Sequence, residues 1–100
     1  MFDEDVAVID DQEIDIEEPK DFAVIYLNDN YSSFDLVTMT LIQICHKSKE
    51  EAELITKEVH TKGMGIGYTG TEDICRTKQL QITSVARKLG MPLKIHVAEL

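Results

Sequence analysis

Basic residues are scarce in this chain. Lys and Arg number 10 against 19 Asp and Glu, a formal net charge of −9 over 100 residues. Phosphate neutralisation needs clustered Lys and Arg, so nucleic acid is excluded as a partner class. Cysteine is equally sparse. Cys45 and Cys75 stand far apart without a CxxC pattern, which removes the spacing of a zinc site or redox motif and predicts two half-buried free thiols. Long apolar runs are missing too. The longest uncharged run, Leu36 to Cys45, is about half of what a bilayer-spanning helix needs, so no membrane span is expected. The acidic start has the wrong sign for a secretory or organellar targeting segment. Together these absences predict a protein of the reducing cytoplasm that holds no metal and no cofactor.

The acidity is unevenly spread. Residues 1–21 hold ten acids against the single base Lys20, whereas residues 22–100 hold nine of each and sum to zero. A block of like charge repels itself and buries little, so residues 1–21 read as an acidic, mostly disordered extension. Val6, Val8, Ile9, Ile14 and Ile16 are the only sign that part of it docks. Neither of the two prolines nor any of the five glycines marks a linker inside residues 22–100, which is chain enough for one domain with one modest core.

Within that domain, Phe22 to Leu27 is a short run of aromatic and branched residues closed by Asn28-Asp29-Asn30, a buried strand and a turn. Ser32 stands three residues before Asp35, a capping-box-like start to an apolar helix over about residues 33–45. Ser48 and Glu51 repeat the signal for a second helix, stopped by Gly63, with Ala52, Ile55 and Val59 on one face. Met64 to Thr69 reads as a strand. Thr71 opens a third helix whose stripe is Ile82, Val85, Ala86 and Leu89, ended by Gly90. Leu93 to Val97 alternates as a half-exposed last strand. The order is β-α-α-β-α-β, a two-layer α+β domain with three helices on one face of a mostly antiparallel three-stranded sheet.

Most motifs have ordinary explanations. Gly65-Ile66-Gly67-Tyr68-Thr69-Gly70 spells GxGxxG, but it overlaps a strand and follows a helix, and Gly90 stands where a ribose-binding acid belongs. Glycines in a strand more often let another backbone approach closely. Asn30-Tyr31-Ser32 matches a glycosylation sequon by pattern only. Ser32 or Ser33 with His60 and an acid makes a catalytic set on paper, with no oxyanion loop or second carboxylate pair to support it. Asn28-Asp29 at a strand end and Val59-His60 in the last turn of a helix form the remaining cluster. Each alone is ordinary turn and helix-end chemistry.

Their company changes the reading. Val24-Ile25-Tyr26-Leu27-Asn28-Asp29-Asn30-Tyr31-Ser32 resembles the first strand and turn of the ClpS family, adaptors of the ATP-dependent Clp protease. Val59-His60-Thr61-Lys62-Gly63 resembles its V-H-x-x-G motif, Gly67-Tyr68 its glycine-x-aromatic strand end, and Pro92-Leu93 the opening of its last strand. The four blocks fall in order and at family spacing over about residues 22–98. The family fold has the same element order and is shared with the C-terminal domain of the ribosomal stalk protein L7/L12, so fold alone does not decide function.

The resemblance implies a non-catalytic adaptor. It would bind the free N-terminal bulky hydrophobic residue of N-degron substrates (the N-end rule) and deliver them to a Clp AAA+ unfoldase, ClpA- or ClpC-like. By this transfer Asn28, Asp29 and His60 surround the α-ammonium. Ser32, Phe34, Val37, Thr56, Val59 and Leu93 line the pocket for the first side chain. Asp73 and Lys78 on the third helix dock on the unfoldase's N-terminal domain, although from charge alone a solvated helix face explains them as well. The implied protein is a monomer with no nucleic-acid or membrane partner. Phe34 and Thr56 stand where the family usually has Met, Ser33 where it has Pro, and Asn30 where it has Asp. The ammonium site is thus kept while the specificity pocket is altered. Three alternatives stay open: a fold relative without end recognition that binds only the unfoldase or another protein, a stalk-like module, and a small hydrolase using His60.

Overall fold

The structure, a computed structural model, describes residues 20–100. The acidic extension expected over residues 1–21 therefore falls almost wholly outside the described residues. The elements are β1 (Phe22–Leu27), α1 (Phe34–Gln43), α2 (Lys49–Lys62), β2 (Met64–Gly70), α3 (Glu72–Lys88) and β3 (Lys94–Glu99). β1 is the central strand, flanked antiparallel by β2 and β3. Val24 and Tyr26 of β1 and Ile95 and Val97 of β3 turn inward and join Leu36, Val37, Leu41, Val59 and Ile82 from the helices in the core.

Local chemistry sets each boundary. Ser48 caps α2 in a full capping box with Glu51, and Gly63 ends the helix in the left-handed conformation with φ 93°. Thr71 caps α3. At α1 the cap is Ser33, which accepts the Leu36 N–H at 3.1 Å, rather than Ser32. The hydroxyl of Ser33 is placed by extended backbone, whereas Ser32 is drawn into the preceding turn. The helix also stops at Gln43, short of residue 45. Leu89 is 56% exposed and leaves the apolar stripe predicted for α3. Position 89 is the cap where the helix already unwinds. The two thiols are free but fully buried rather than half-buried, and burial pushes both above the ordinary thiol range.

The glycine motif resolves as packing. Val24 pairs with Tyr68 and Ile25 with Ile66, so Gly67 is the extra residue of a β-bulge. A Cβ there would lie 2.6 Å from Tyr26 Cε1 and 2.9 Å from Leu41 Cδ2. The close neighbour is a side chain, the Tyr26 ring, rather than another backbone. That ring is wholly buried, and its hydroxyl is hydrogen-bonded to Thr40 Oγ1 at 2.9 Å. Because Tyr26 is held there, Gly67→Ala is expected to cost about 1–3 kcal/mol through overpacking, read as a lower midpoint in urea unfolding.

Candidate functional site

The site sits where the β1–α1 turn meets the C-terminus of α2. One backbone bond joins them: Asn28 N–H donates to Gly63 C=O at 2.9 Å. Asp29 builds the turn itself. Its Oδ1 accepts from the backbone N–H of Tyr31 at 2.8 Å and of Ser32 at 2.7 Å, an Asx-type turn. Burial works against charge on this carboxyl, but the two backbone donors and nearby His60 outweigh it and hold its pKa below the usual 3.8. The Ser32 hydroxyl also favours the charge, yet its approach falls short of hydrogen-bond geometry. Asp29 Oδ2 and Ser32 Oγ are thus enclosed, with no hydrogen-bond partner among the described residues. A buried carboxylate oxygen without a partner carries a desolvation cost that a donor would relieve.

His60 completes the cluster from the last turn of α2. Its Nδ1 lies 2.9 Å from the Thr56 carbonyl. A carbonyl only accepts, so Nδ1 carries a proton, and in the ring's neutral form Nε2 is the acceptor. The ring is exposed and is met by Phe34, with centroids 5.8 Å apart and tilted by 38°. Asn28 is exposed at the strand end. The three residues expected to surround an ammonium therefore lie on two segments that a hydrogen bond pins together.

The predicted pocket residues divide. Val37, Val59 and Leu93 belong to the core at 1–2% exposure, and Thr56 is fully buried. Ser32 is nearly buried, and Phe34 alone is open at 40%. The Thr56 hydroxyl is occupied. It donates to Ala52 C=O at 2.8 Å and sits 2.9 Å from Thr38 Oγ1, which must be the donor in that pair. Positioning residues that the sequence did not disclose include Arg87, whose Nη1 donates to the Met91 and Leu93 carbonyls, and Met91, whose sulfur accepts the Ser33 N–H at 3.3 Å. No local pattern signals either contact, because both join the α3–β3 connection to distant or irregular backbone.

The two predicted docking residues lie apart from this site, together lining a cavity of about 480 Å³ between the end of α1 and α3. Asp73 is exposed. Lys78 is half-buried and tied down, its Nζ donating to Ile44 C=O at 2.7 Å and lying 4.7 Å from the Tyr68 ring centre. Its charge stabilises the C-terminal end of α1, so the solvated-face reading fails for Lys78. Among the described residues no cluster of His, Cys, Asp or Glu could hold a metal, and no helix is long and apolar enough to cross a membrane.

A three-stranded antiparallel sheet backed by three helices, with an Asn-Asp turn and a histidine at one end, defines an α+β domain of the ClpS type. Residues 17–96 match the protein-family model described as ATP-dependent Clp protease adaptor protein ClpS. The chain is 42% identical over 81 residues to the adapter ClpS of Deinococcus radiodurans, covering 81% of this chain and 71% of that one. It is 38% identical over 96 residues to that of Oleidesulfovibrio alaskensis, covering 96% and 90%. Among solved structures, Agrobacterium tumefaciens ClpS2 bound to L-phenylalaninamide superposes with a TM-score of 0.80 at 25% identity, over 83% of this chain and 100% of that one. The chain belongs to the ClpS family of Clp protease adaptors. That family serves proteolysis as an adaptor and is not catalytic, which sets the hydrolase alternative aside.

Asp29 gives this geometry a pH signature. A carboxyl whose folded pKa is depressed contributes stability above its unfolded value and loses it as the pH falls through the folded one. The Asp29 carboxyl is expected to titrate below 3.8 by carbon NMR, and Asp29→Asn should flatten part of the loss of stability below about pH 4.

Proposed function

We infer that the chain captures polypeptides by a free N-terminal residue and hands them to a Clp unfoldase. The observation carrying this reading is the buried, unpartnered Asp29 Oδ2 in a turn that the Asn28–Gly63 hydrogen bond ties to the end of α2, the helix that carries His60. An ammonium has three donors and no acceptor, so it complements these acceptor-bearing groups. An internal peptide lacks that group and leaves the carboxylate unsatisfied. The A. tumefaciens relative supports the reading, since L-phenylalaninamide is an amino acid with a free α-amine and a capped carboxyl, the chemistry of a chain start.

The first side chain reaches Val37, Val59 and Leu93 past Phe34. Because those walls are nearly inaccessible and Phe34 is open, displacement of the Phe34 ring from His60 admits the guest. Burial of a Leu or Phe side chain there contributes roughly 1.5–3 kcal/mol. With the ammonium bonds added and ordering costs subtracted, affinity falls near ~1 µM. Such binding suits transfer, since the substrate must leave the adaptor. The unfoldase's N-terminal domain, ClpA- or ClpC-like, meets the α3 surface around Asp73. Lys78 serves that surface through the fixed end of α1, and a single adaptor chain suffices.

Binding of an N-terminal Leu peptide, beside its N-acetylated twin, tests the chain-end claim. Acetylation and Asp29→Ala are each expected to weaken binding by roughly ten- to a hundredfold, the worth of a hydrogen bond to a charged group. Unchanged affinity in both would support the alternative of a fold relative without end recognition. Removal of residues 1–20 is expected to leave peptide binding intact and to impair degradation by the partner protease. Loss of both activities would contradict the division of labour between extension and domain.

A further inference from the structure

The helices cover only one face of the sheet. On β1, Val24 and Tyr26 turn into the core, so Ile25 and Leu27, each one residue further on, point to the opposite face. Strand pairing extends that face into two rows, Ile66–Ile25–His96 and Met64–Leu27–Lys94. None of the apolar members belongs to the core or packs against it, and Ile66 and Met64 are 43% and 47% exposed. The remaining members, Lys94 and His96, are exposed bases on β3. Among the described residues this apolar face, edged by bases alone, has no cover.

Residues 6–16 have the complementary composition. Val6 and Val8 stand two apart, as do Ile14 and Ile16, so an extended backbone turns each pair to one side. Asp10, Asp11, Glu13 and Asp15 stand among them with no base. We propose that this segment of the chain's own N-terminal extension docks along the open sheet face. Its Val and Ile side chains cover the two rows, and its carboxylates meet Lys94 and His96. The attachment point permits this. Lys20 pairs with Glu99 at 3.4 Å, and the Asp21 carbonyl accepts the Leu100 N–H at 2.9 Å, so the extension joins the domain beside the end of β3. An extended chain reaches back about 20 Å from Lys20 to Ile14, which matches the length of these six-residue strands. The area of the face also favours a tethered occupant. Three such strands present roughly 300 Å², well under the ~800 Å² per partner of a stable interface. A second copy or a separate protein gains little there, whereas a tethered segment acts at an effective concentration in the millimolar range.

The test keeps the full chain and attaches a nitroxide through Gln12→Cys, since Cys45 and Cys75 are buried and stay unlabelled. Paramagnetic broadening of backbone amide signals is expected at Ile25, Ile66 and His96 and absent at Leu80, which is exposed on the helical layer. The broadening is expected to vanish in an Ile14→Ser, Ile16→Ser double variant, a change outside residues 22–100. It is expected to fall severalfold in Lys94→Glu and as salt rises. Equal broadening at Ile25 and Leu80, or none at either, overturns the docking. So does broadening that the isoleucine substitutions leave unmoved. Mixing nitroxide-bearing chain with isotope-enriched chain that lacks the nitroxide distinguishes the occupants: broadening in that mixture assigns the face to a second copy and overturns the intramolecular reading.

Discussion

One carboxylate oxygen holds the working end of the molecule together. Asp29 Oδ1 takes two consecutive backbone N–H groups, from Tyr31 and Ser32, and this closes the turn between β1 and α1. Everything downstream inherits that geometry. The turn delivers Ser33 to its capping position, sets Phe34 as the first residue of α1, and leaves the second oxygen of Asp29 buried, with no hydrogen-bond partner among the described residues. The two oxygens of one side chain are thus used differently: one builds the turn and the other is left without a partner among the described residues.

The division explains how much could be read from the sequence. Element order, the capping box at Ser48 and Glu51, and the Gly63 stop follow from local backbone chemistry and were legible. So was the proximity of Asn28-Asp29 to His60, though only through family resemblance. Ser32 and Ser33 were not separable, because either can cap and the choice depends on which hydroxyl the turn has withdrawn. The burial of Cys45 and Cys75 depends on how α1 and α3 close over the sheet, and single positions do not report it. The role of Lys78 was hidden for the same reason. Its partner, the Ile44 carbonyl, lies 34 residues away.

The site's electrostatics follow from a domain without excess charge. Outside the extension, acids and bases balance, so the domain carries no broad field of one sign. Short-range, directional contacts dominate at the candidate site, where a misplacement of an ångström is felt. This is consistent with a site built on the end of a strand and the end of a helix rather than on a long loop.

That construction makes α2 a ruler. Its start is pinned by the Ser48 box, its finish by Gly63, and β2 follows immediately at Met64. Adding or deleting one residue between these points would swing His60 about 100° around the helix axis and carry its imidazole away from Asp29. The distance from Ser48 to Gly63 accordingly fixes where His60 stands relative to Asp29 as firmly as the identity of any residue at that end of the domain.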